Sequence, residues 1–192
     1  MTESKQETKE RILSKGAELV HSRGFNNTGL KDILQASGVP KGSFYFYFEN
    51  KEAFGLELID HHMRFFSEHV TPILNREDIP PTQRILGFFA WFKRFFTEHG
   101  FAMGCPIGNL CQEMSDLSPA FRDRLSRAME AIIRPVSKLL SQAREQGELD
   151  PGHDPEELAC FLVASWQGAM LLMKVEKSAR PLEIFEAQAR QL

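Results

Sequence analysis

The stretch FNNTGLKDILQASGVPKGSFYFYFENKEAF, residues 25–54, contains the features that decide the fold. Thr28 stands where it can cap a short helix over residues 30–37. The tripeptide at residues 38–40, Gly-Val-Pro, is a tight break, and proline is well tolerated at the start of a helix. A third short helix is therefore predicted over about residues 40–47. Two short helices joined by a glycine-containing turn are the helix-turn-helix pattern.

Five aromatic residues stand in a row over residues 44–48 and include both tyrosines of the chain. Phe44 and Phe48 lie four residues apart, on one face of a helix, and are predicted to face the core. Tyr45 and Tyr47 carry hydroxyls that can bond phosphate oxygens while their rings pack. The run is expected to divide, with those two phenylalanines inward and the tyrosines toward DNA, and Phe46 is left open.

The spacing within residues 25–54 resembles the signature of TetR-type transcriptional repressors. That signature has a threonine cap, an Asp-Ile pair, a Gly-Val turn and then Lys-Gly-(Ser/Thr)-x-Tyr-x-x-Phe-x-x-Lys. Beyond about residue 55 the chain resembles the family only in length and helical pattern. The resemblance implies a DNA-binding helix-turn-helix whose contact residues are Thr28, Lys41, Gly42, Ser43, Tyr45, Tyr47 and Lys51.

The chemistry of these residue types agrees with the resemblance. Gly42 and Ser43 are small enough to let a helix backbone approach the bases, and Lys41 can reach a guanine edge. Thr28 can donate to a phosphate, and Lys51 begins a helix whose positive dipole end favours anions. The alternatives are a helix-turn-helix that serves only as a packing unit and lysines that are solvated surface groups.

The rest of the chain also reads as helix, because no alternating strand pattern or hairpin signal occurs. Helices are predicted from Asn50 to about Val70, closed by Thr71-Pro72, and over about 82–99, 107–115 and 119–146, with two more starting near 155 and 180. The predicted fold is all-α. Residues 1–50 form a three-helix DNA-binding domain, and residues 51–192 form a larger helical domain for ligand binding and dimerisation.

Composition is that of an ordinary soluble protein, with 42% hydrophobic and 26% charged residues among 192. No run of 18 apolar residues and no signal-peptide core is present, so a cytoplasmic protein without membrane contact is expected. Three cysteines form no even disulfide framework. Residues 1–51 carry 8 Lys and Arg against 6 Asp and Glu, whereas the remainder is net acidic. Only this N-terminal segment is therefore expected to bind a polyanion.

A small-molecule effector is implied by the resemblance, because the larger domain of this family binds one and changes the spacing of the recognition helices. Large apolar side chains are available to line a cavity, although each of them could equally be plain core. The candidates are Trp91, Phe92, Phe95, Met103, Trp166 and Met170.

The stretch MGCPIGNLCQE, residues 103–113, resembles a Gly-Cys-x-x-Gly-Asn-x-x-x-Glu pattern of one branch of TetR-like regulators. Cys105 precedes a proline at a predicted helix start, where the helix dipole favours the thiolate. Asn109 and Glu113 lie four apart and could bond a ligand or cap neighbouring helices. One hypothesis is that Cys105 senses electrophiles or oxidants; the alternative is a small buried thiol.

Metal binding and catalysis are not predicted. His62 and His69 lie two helical turns apart, too far to share an ion, and no Cys-x-x-Cys or His-Glu-x-x-His motif occurs. No phosphate-binding loop or Gly-x-Ser-x-Gly is present either, so neither an enzyme nor a cofactor is expected.

The last two helices are expected to dimerise, because in TetR-like proteins they form a four-helix interface with a second subunit. The candidates are Leu158, Leu162, Ser165, Ala169, Phe185 and Ala189. The predicted function is a ligand-responsive regulator, a repressor on family grounds, which binds a near-palindromic operator in duplex DNA as a homodimer. A helical interaction adaptor and an enzyme without DNA binding are the alternatives.

Overall fold

The computed structural model describes residues 4–191, which form an all-α fold. Within that range the chain contains nine helices and no strand. They are α1 (Lys5–Arg23), α2 (Leu30–Ser37), α3 (Lys41–Tyr47), α4 (Lys51–Leu74), α5 (Pro81–Glu98), α6 (Pro106–Met114), α7 (Pro119–Glu145), α8 (Pro155–Glu176) and α9 (Arg180–Ala189).

The chain divides into two compact units that differ from a simple N- and C-terminal split. Unit 1 consists of residues up to 65 together with 106–128, and unit 2 of residues 66–105 together with 129 onward. Helix α6 and the first part of α7 therefore belong with the helix-turn-helix. The domain boundary at residue 50 remains a prediction.

Helix α1 begins with a capping box, in which a serine is followed three residues later by a glutamate. The Ser4 hydroxyl accepts a hydrogen bond from the Glu7 N–H at 3.2 Å, and the Glu7 carboxylate accepts from the Ser4 N–H at 2.6 Å. The helix ends at Gly24, whose φ of 86° is easily adopted without a Cβ and whose N–H donates to the Val20 carbonyl.

The predicted cap of α2 is wrong by one residue. Gly29, not Thr28, precedes the first helical residue, and its N–H donates to the Asp32 carboxylate at 3.1 Å. Thr28 is fully buried, and its hydroxyl donates to the carbonyl of Gly24 at 2.7 Å. Because glycine has no side chain, α2 starts without a side-chain cap, and the Asp32 carboxylate satisfies the Gly29 N–H instead. Gly38 ends α2 in the left-handed conformation.

Helix α3 confirms the predicted inward face. Phe44 and Phe48 are 0% and 2% exposed, and both rings pack on Phe54 of α4. Phe46, which the pattern left open, is 64% exposed. The short helix is thus anchored from one side by two phenylalanines.

Helix α4 runs past the predicted stop at Thr71-Pro72 and ends at Leu74. Proline lacks the N–H that a helix interior needs, which favours a break there. Val70 and Leu74, one turn apart on either side of Pro72, are 0% and 4% exposed. Burial of this apolar face accounts for the continuation, because packing contributes more than the one lost hydrogen bond.

Unit 2 is organised around aromatic contacts between α5, α8 and α9. Phe89 lies 5.0 Å from Trp166 and 4.6 Å from Phe185, measured between ring centroids, and all three are buried. Helix α8 is long and apolar enough to match a membrane span by length and composition. Its buried residues pack within unit 2, which is the behaviour of a core helix.

Candidate nucleic-acid interface and effector region

The outward side of α3 carries most of the side chains predicted to meet DNA. Lys41 and Gly42 are exposed, Tyr45 is 50% exposed, and Ser43 and Tyr47 are half-buried. A Cβ added at Gly42 would meet no atom within 4 Å. The helix therefore presents a small residue, a cation and phenol groups to solvent on one short segment.

Two of the predicted DNA contacts are engaged inside the protein. The Thr28 hydroxyl is buried against the Gly24 carbonyl, as described above. The Lys51 ammonium donates to the carbonyl of Phe25 at 2.7 Å and lies 4.5 Å from the centroid of the Phe25 ring. Partial burial lowers the pKa of Lys51, and the negative charge of Glu113 opposes that effect. Contacts of Thr28 and Lys51 with phosphate remain predictions.

Glu113 is placed against the helix-turn-helix. Its two carboxylate oxygens accept hydrogen bonds from the N–H groups of Phe25 at 2.7 Å and Asn26 at 2.6 Å. Sequence reasoning assigned Glu113 to an effector, with helix capping as the other possibility. In the structure the carboxylate binds backbone N–H groups of the turn that follows α1, and contact of Glu113 with an effector remains a prediction.

Phe46 is a surface residue that the sequence did not assign. Its ring is mostly exposed on α3, and the ammonium of Lys5 lies 4.9 Å from the ring centroid. The sequence signal for Phe46 is an aromatic residue in the middle of α3, outside the spacing of the two phenylalanines that face the core.

The aromatic candidates for the effector region fall into two groups within unit 2. Trp91, Phe92 and Phe95 follow one another on α5, and the Trp91 ring stacks on Phe95 at 5.7 Å. These three are half-buried, whereas Trp166 and Met170 on α8 are 3% and 4% exposed. The burial of the second pair agrees with a core role.

Cys105 follows a loop of unusual backbone conformation. Gly100, Phe101, Met103 and Gly104 all have positive φ, which side-chain-bearing residues such as Phe101 and Met103 rarely adopt. Cys105 itself is half-buried, and each of the three cysteines is a thiol. Pro106 then begins α6, as the sequence predicts.

Asn109 lines a small cavity inside unit 1 with a volume of about 10 Å³, room for about one water molecule. His62 lies on the same cavity. Burial, together with the smaller effects of the neighbouring His21 and His61, lowers the pKa of His62 to about 3. The imidazole is therefore neutral at ordinary pH. The other lining residues are Val20, His21, Pro106, Leu110 and Glu113.

A wider apolar groove, of about 610 Å³, lies along α8 and α9 in unit 2. Five of the six residues predicted for dimerisation line it, and Leu158 does not. Leu162 and Phe185 are buried within the single chain, at 3% and 8% exposure. The exposed apolar residues of the groove, which the sequence did not single out, are Phe161, Leu172 and Ile184.

No group of three or more His, Cys, Asp or Glu side chains that could hold a metal ion occurs among residues 4–191. The site is instead a short, solvent-presented second helix of a helix-turn-helix. That arrangement defines a DNA-binding protein of the helix-turn-helix class.

Sequence comparison places the chain within that class. Residues 12–58 match the profile of bacterial regulatory proteins of the tetR family, and residues 81–189 match the tetracyclin repressor-like C-terminal domain. The repressor DhaR of Mycobacterium sp. (strain GP1) is 36% identical over 92% of this chain and 87% of its own length. The regulator AcuR of Cereibacter sphaeroides is 36% identical over 91% of this chain and 80% of its own.

A solved structure agrees with these relatives. The crystal structure of Escherichia coli NemR in its reduced form superposes with a TM-score of 0.89 at 34% identity, covering 96% of each chain. The chain belongs to the TetR family and is a helix-turn-helix transcriptional repressor that binds operator DNA. It is not an enzyme.

Proposed function

We propose that this repressor binds a near-palindromic operator as a homodimer in the bacterial cytoplasm and is released by a small-molecule or thiol-reactive effector. The observation that carries the proposal is the division of α3, with Phe44 and Phe48 buried and Lys41 and Tyr45 exposed. A helix that is packed on the core by one face and exposed to solvent on the other can enter the major groove.

The contacts of α3 divide by chemistry. We assign Lys41 to a base edge, and Gly42 and Ser43 to close backbone approach. Tyr45 and Tyr47 bond phosphate oxygens through their hydroxyls, which position the helix without reading sequence. Because cation–phosphate contacts release counterions, operator affinity should fall steeply as salt increases.

Selection of the DNA duplexes that the protein binds from a random pool tests the proposal. The selected sequences are then compared with the DNA that flanks the coding region of this protein. The expected product is an inverted repeat whose half-sites are related by the dimer axis. Titration of that duplex at several salt concentrations should give a linear fall of log affinity with log salt. Recovery of no enriched sequence, or of an unrepeated one, would contradict the proposal.

The groove on α8 and α9 supports the homodimer. Phe161 and Ile184 are 63% and 50% exposed on its walls, and patches of exposed apolar side chains mark interaction sites. Small residues, including Ser165, Ala169 and Ala189, lie between the large ones and permit close approach of a second helix pair. We assign the groove to a second copy of the chain because the resemblance to the TetR family implies dimerisation through these two helices.

The half-buried aromatics of α5 support an apolar or aromatic effector. Trp91, Phe92 and Phe95 offer flat apolar faces, which are typical linings of small-molecule sites. Met103, in the loop before Cys105, is a further candidate, and contact of the buried Trp166 and Met170 with an effector remains a prediction. Asn109 on α6 lies in unit 1, and its contact with an effector remains a separate prediction. Titration with aromatic compounds, followed by tryptophan fluorescence, tests the assignment; unchanged emission would argue against it.

Thiol chemistry at Cys105 is the second candidate trigger. The residue is half-buried and stands directly before the first residue of α6, after four positive-φ positions. Strained backbone of this kind concentrates at functional sites. The relative NemR has been crystallised in a reduced form, which supports thiol chemistry as a trigger in this chain.

A further inference from the structure

The turn between α1 and α2, residues 24–29, is held by side chains from two other helices of unit 1. The Glu113 carboxylate on α6 accepts from the N–H groups of Phe25 and Asn26, at 2.7 and 2.6 Å. The Lys51 ammonium on α4 donates to the Phe25 carbonyl at 2.7 Å. Every one of these bonds joins a charged side chain to the backbone, and such bonds are stronger than neutral ones.

These bonds connect parts of the chain on both sides of the helix-turn-helix segment. Phe25 precedes the helix-turn-helix segment, residues 30–47, and Lys51 follows it. The bond from Lys51 to the Phe25 carbonyl therefore joins the two ends of the segment that carries α2 and α3. The bonds of Glu113 tie the same point to α6.

Packing around the turn is close enough to make the geometry specific. A Cβ added at Gly24 would lie 3.1 Å from a carboxylate oxygen of Glu113, so glycine permits the approach. Phe25 is 4% exposed, and its ring lies 5.1 Å from that of Phe121. The turn is thus held by charge on its backbone and by an aromatic contact on its side chain.

We propose that Glu113 and Lys51 are positioning residues that hold the α1–α2 turn and so set how α3 is presented to the operator. Neither contacts DNA or effector in this role. The proposal rests on operator binding by α3 and changes the assignment of Lys51 from phosphate contact, and of Glu113 from effector contact, to internal support.

Operator affinity of the effector-free protein tests the proposal. Glu113→Gln keeps the size of the side chain but removes the charge, and it places an amide donor against a backbone donor. We expect operator affinity to fall about tenfold, the factor that loss of a charge-assisted hydrogen bond can produce. Gln112→Ala, at an exposed neighbour on α6, is the control and should retain wild-type affinity.

Salt dependence separates support from phosphate contact at Lys51. Removal of a lysine that grips a phosphate reduces the slope of log affinity against log salt by about 0.9. For Lys51→Met we expect weaker operator binding with the wild-type slope. In the double variant with Glu113→Gln, the combined loss should be smaller than the sum of the single losses, because both residues hold one turn.

The proposal is overturned if Glu113→Gln binds the operator like wild type, or if Lys51→Met lowers the slope by about one. Circular dichroism at the assay temperature must show each variant folded, so that affinity and stability are separated. Failure of wild type itself to bind any operator would instead overturn the assignment of α3.

Discussion

Ser118 donates its hydroxyl hydrogen to a carboxylate oxygen of Glu52 at 2.5 Å. The same hydroxyl accepts from the N–H of Phe121 at 3.3 Å, so one buried side chain caps α7 and contacts α4. A single serine therefore connects two helices of unit 1.

Ser118→Ala should lower the free energy of unfolding by about 1–2 kcal/mol, because it removes a helix cap and leaves Glu52 without this donor. Urea denaturation followed by circular dichroism measures the change. Ser126→Ala, at an exposed position inside α7, is the matched control and should alter stability by less than about 0.5 kcal/mol. Equal effects of the two variants would contradict a role for the Ser118 bonds.

His62 should make the fold sensitive to acid. Its pKa is about 3 in the folded protein and ordinarily 6.5, so the unfolded chain binds more protons between these values. The contribution to stability is complete above pH 6.5 and is lost as pH falls toward 3, by up to about 1.4 kcal/mol per pH unit.

Urea denaturation of His62→Gln between pH 7 and pH 4 checks this expectation. The variant should lose less stability on acidification than the wild type. His153→Gln, at an exposed site, should follow the wild-type curve. Parallel curves for His62→Gln and the wild type would show that the imidazole is not held neutral by burial.

Gly42→Ala should separate folding from DNA binding. The added methyl group meets no protein atom, and alanine favours the helix by about 1 kcal/mol, so stability should be maintained or raised. Operator affinity should nevertheless fall at least about tenfold if, as proposed, the backbone at Gly42 approaches the bases, because the methyl group would then stand between them. Fluorescence anisotropy and thermal melting measure the two effects. Wild-type operator affinity in this variant would remove Gly42 from the interface.

Ile184→Asp should disrupt the proposed homodimer. The residue is 50% exposed on the α8–α9 groove, and a buried unpaired carboxylate at an interface is strongly unfavourable. Sedimentation equilibrium should show a monomer, with weaker operator binding. Leu117→Asp, at a 66% exposed position outside the groove, is the control and should leave the dimer intact. A dimeric Ile184→Asp would place the interface elsewhere.

Cys105→Ser should retain operator affinity but lose any response to a thiol-reactive electrophile such as N-ethylmaleimide. The physical reason is that the serine hydroxyl is not nucleophilic under the same conditions. Cys160→Ser, at the exposed cysteine on α8, is the control and should respond like the wild type. Wild-type sensitivity in Cys105→Ser would exclude this residue as the trigger.

The local sequence pattern was sufficient to predict most of the helices. Ser4 and Glu7 cap α1 as their spacing predicts, and Phe44 and Phe48 face inward because residues four apart share a helical face. The stop at Thr71-Pro72 was wrong because a local rule about proline was outweighed by burial of Val70 and Leu74. Thr28 is not the cap of α2, because the helix starts one residue later, after Gly29, and the Thr28 hydroxyl is bonded to the Gly24 carbonyl.

The helix-turn-helix and the outward side of α3 were determined by the amino-acid sequence alone, because they depend on side-chain type at short, regular spacing. The contacts of Glu113 and Lys51 were decided only by the tertiary structure. Glu113 contacts Phe25 across 88 residues of chain. Its carboxylate accepts from the Phe25 N–H, whereas the Lys51 ammonium donates to the Phe25 carbonyl. Since every residue other than proline carries the same backbone groups, only folding selects which of them a side chain reaches.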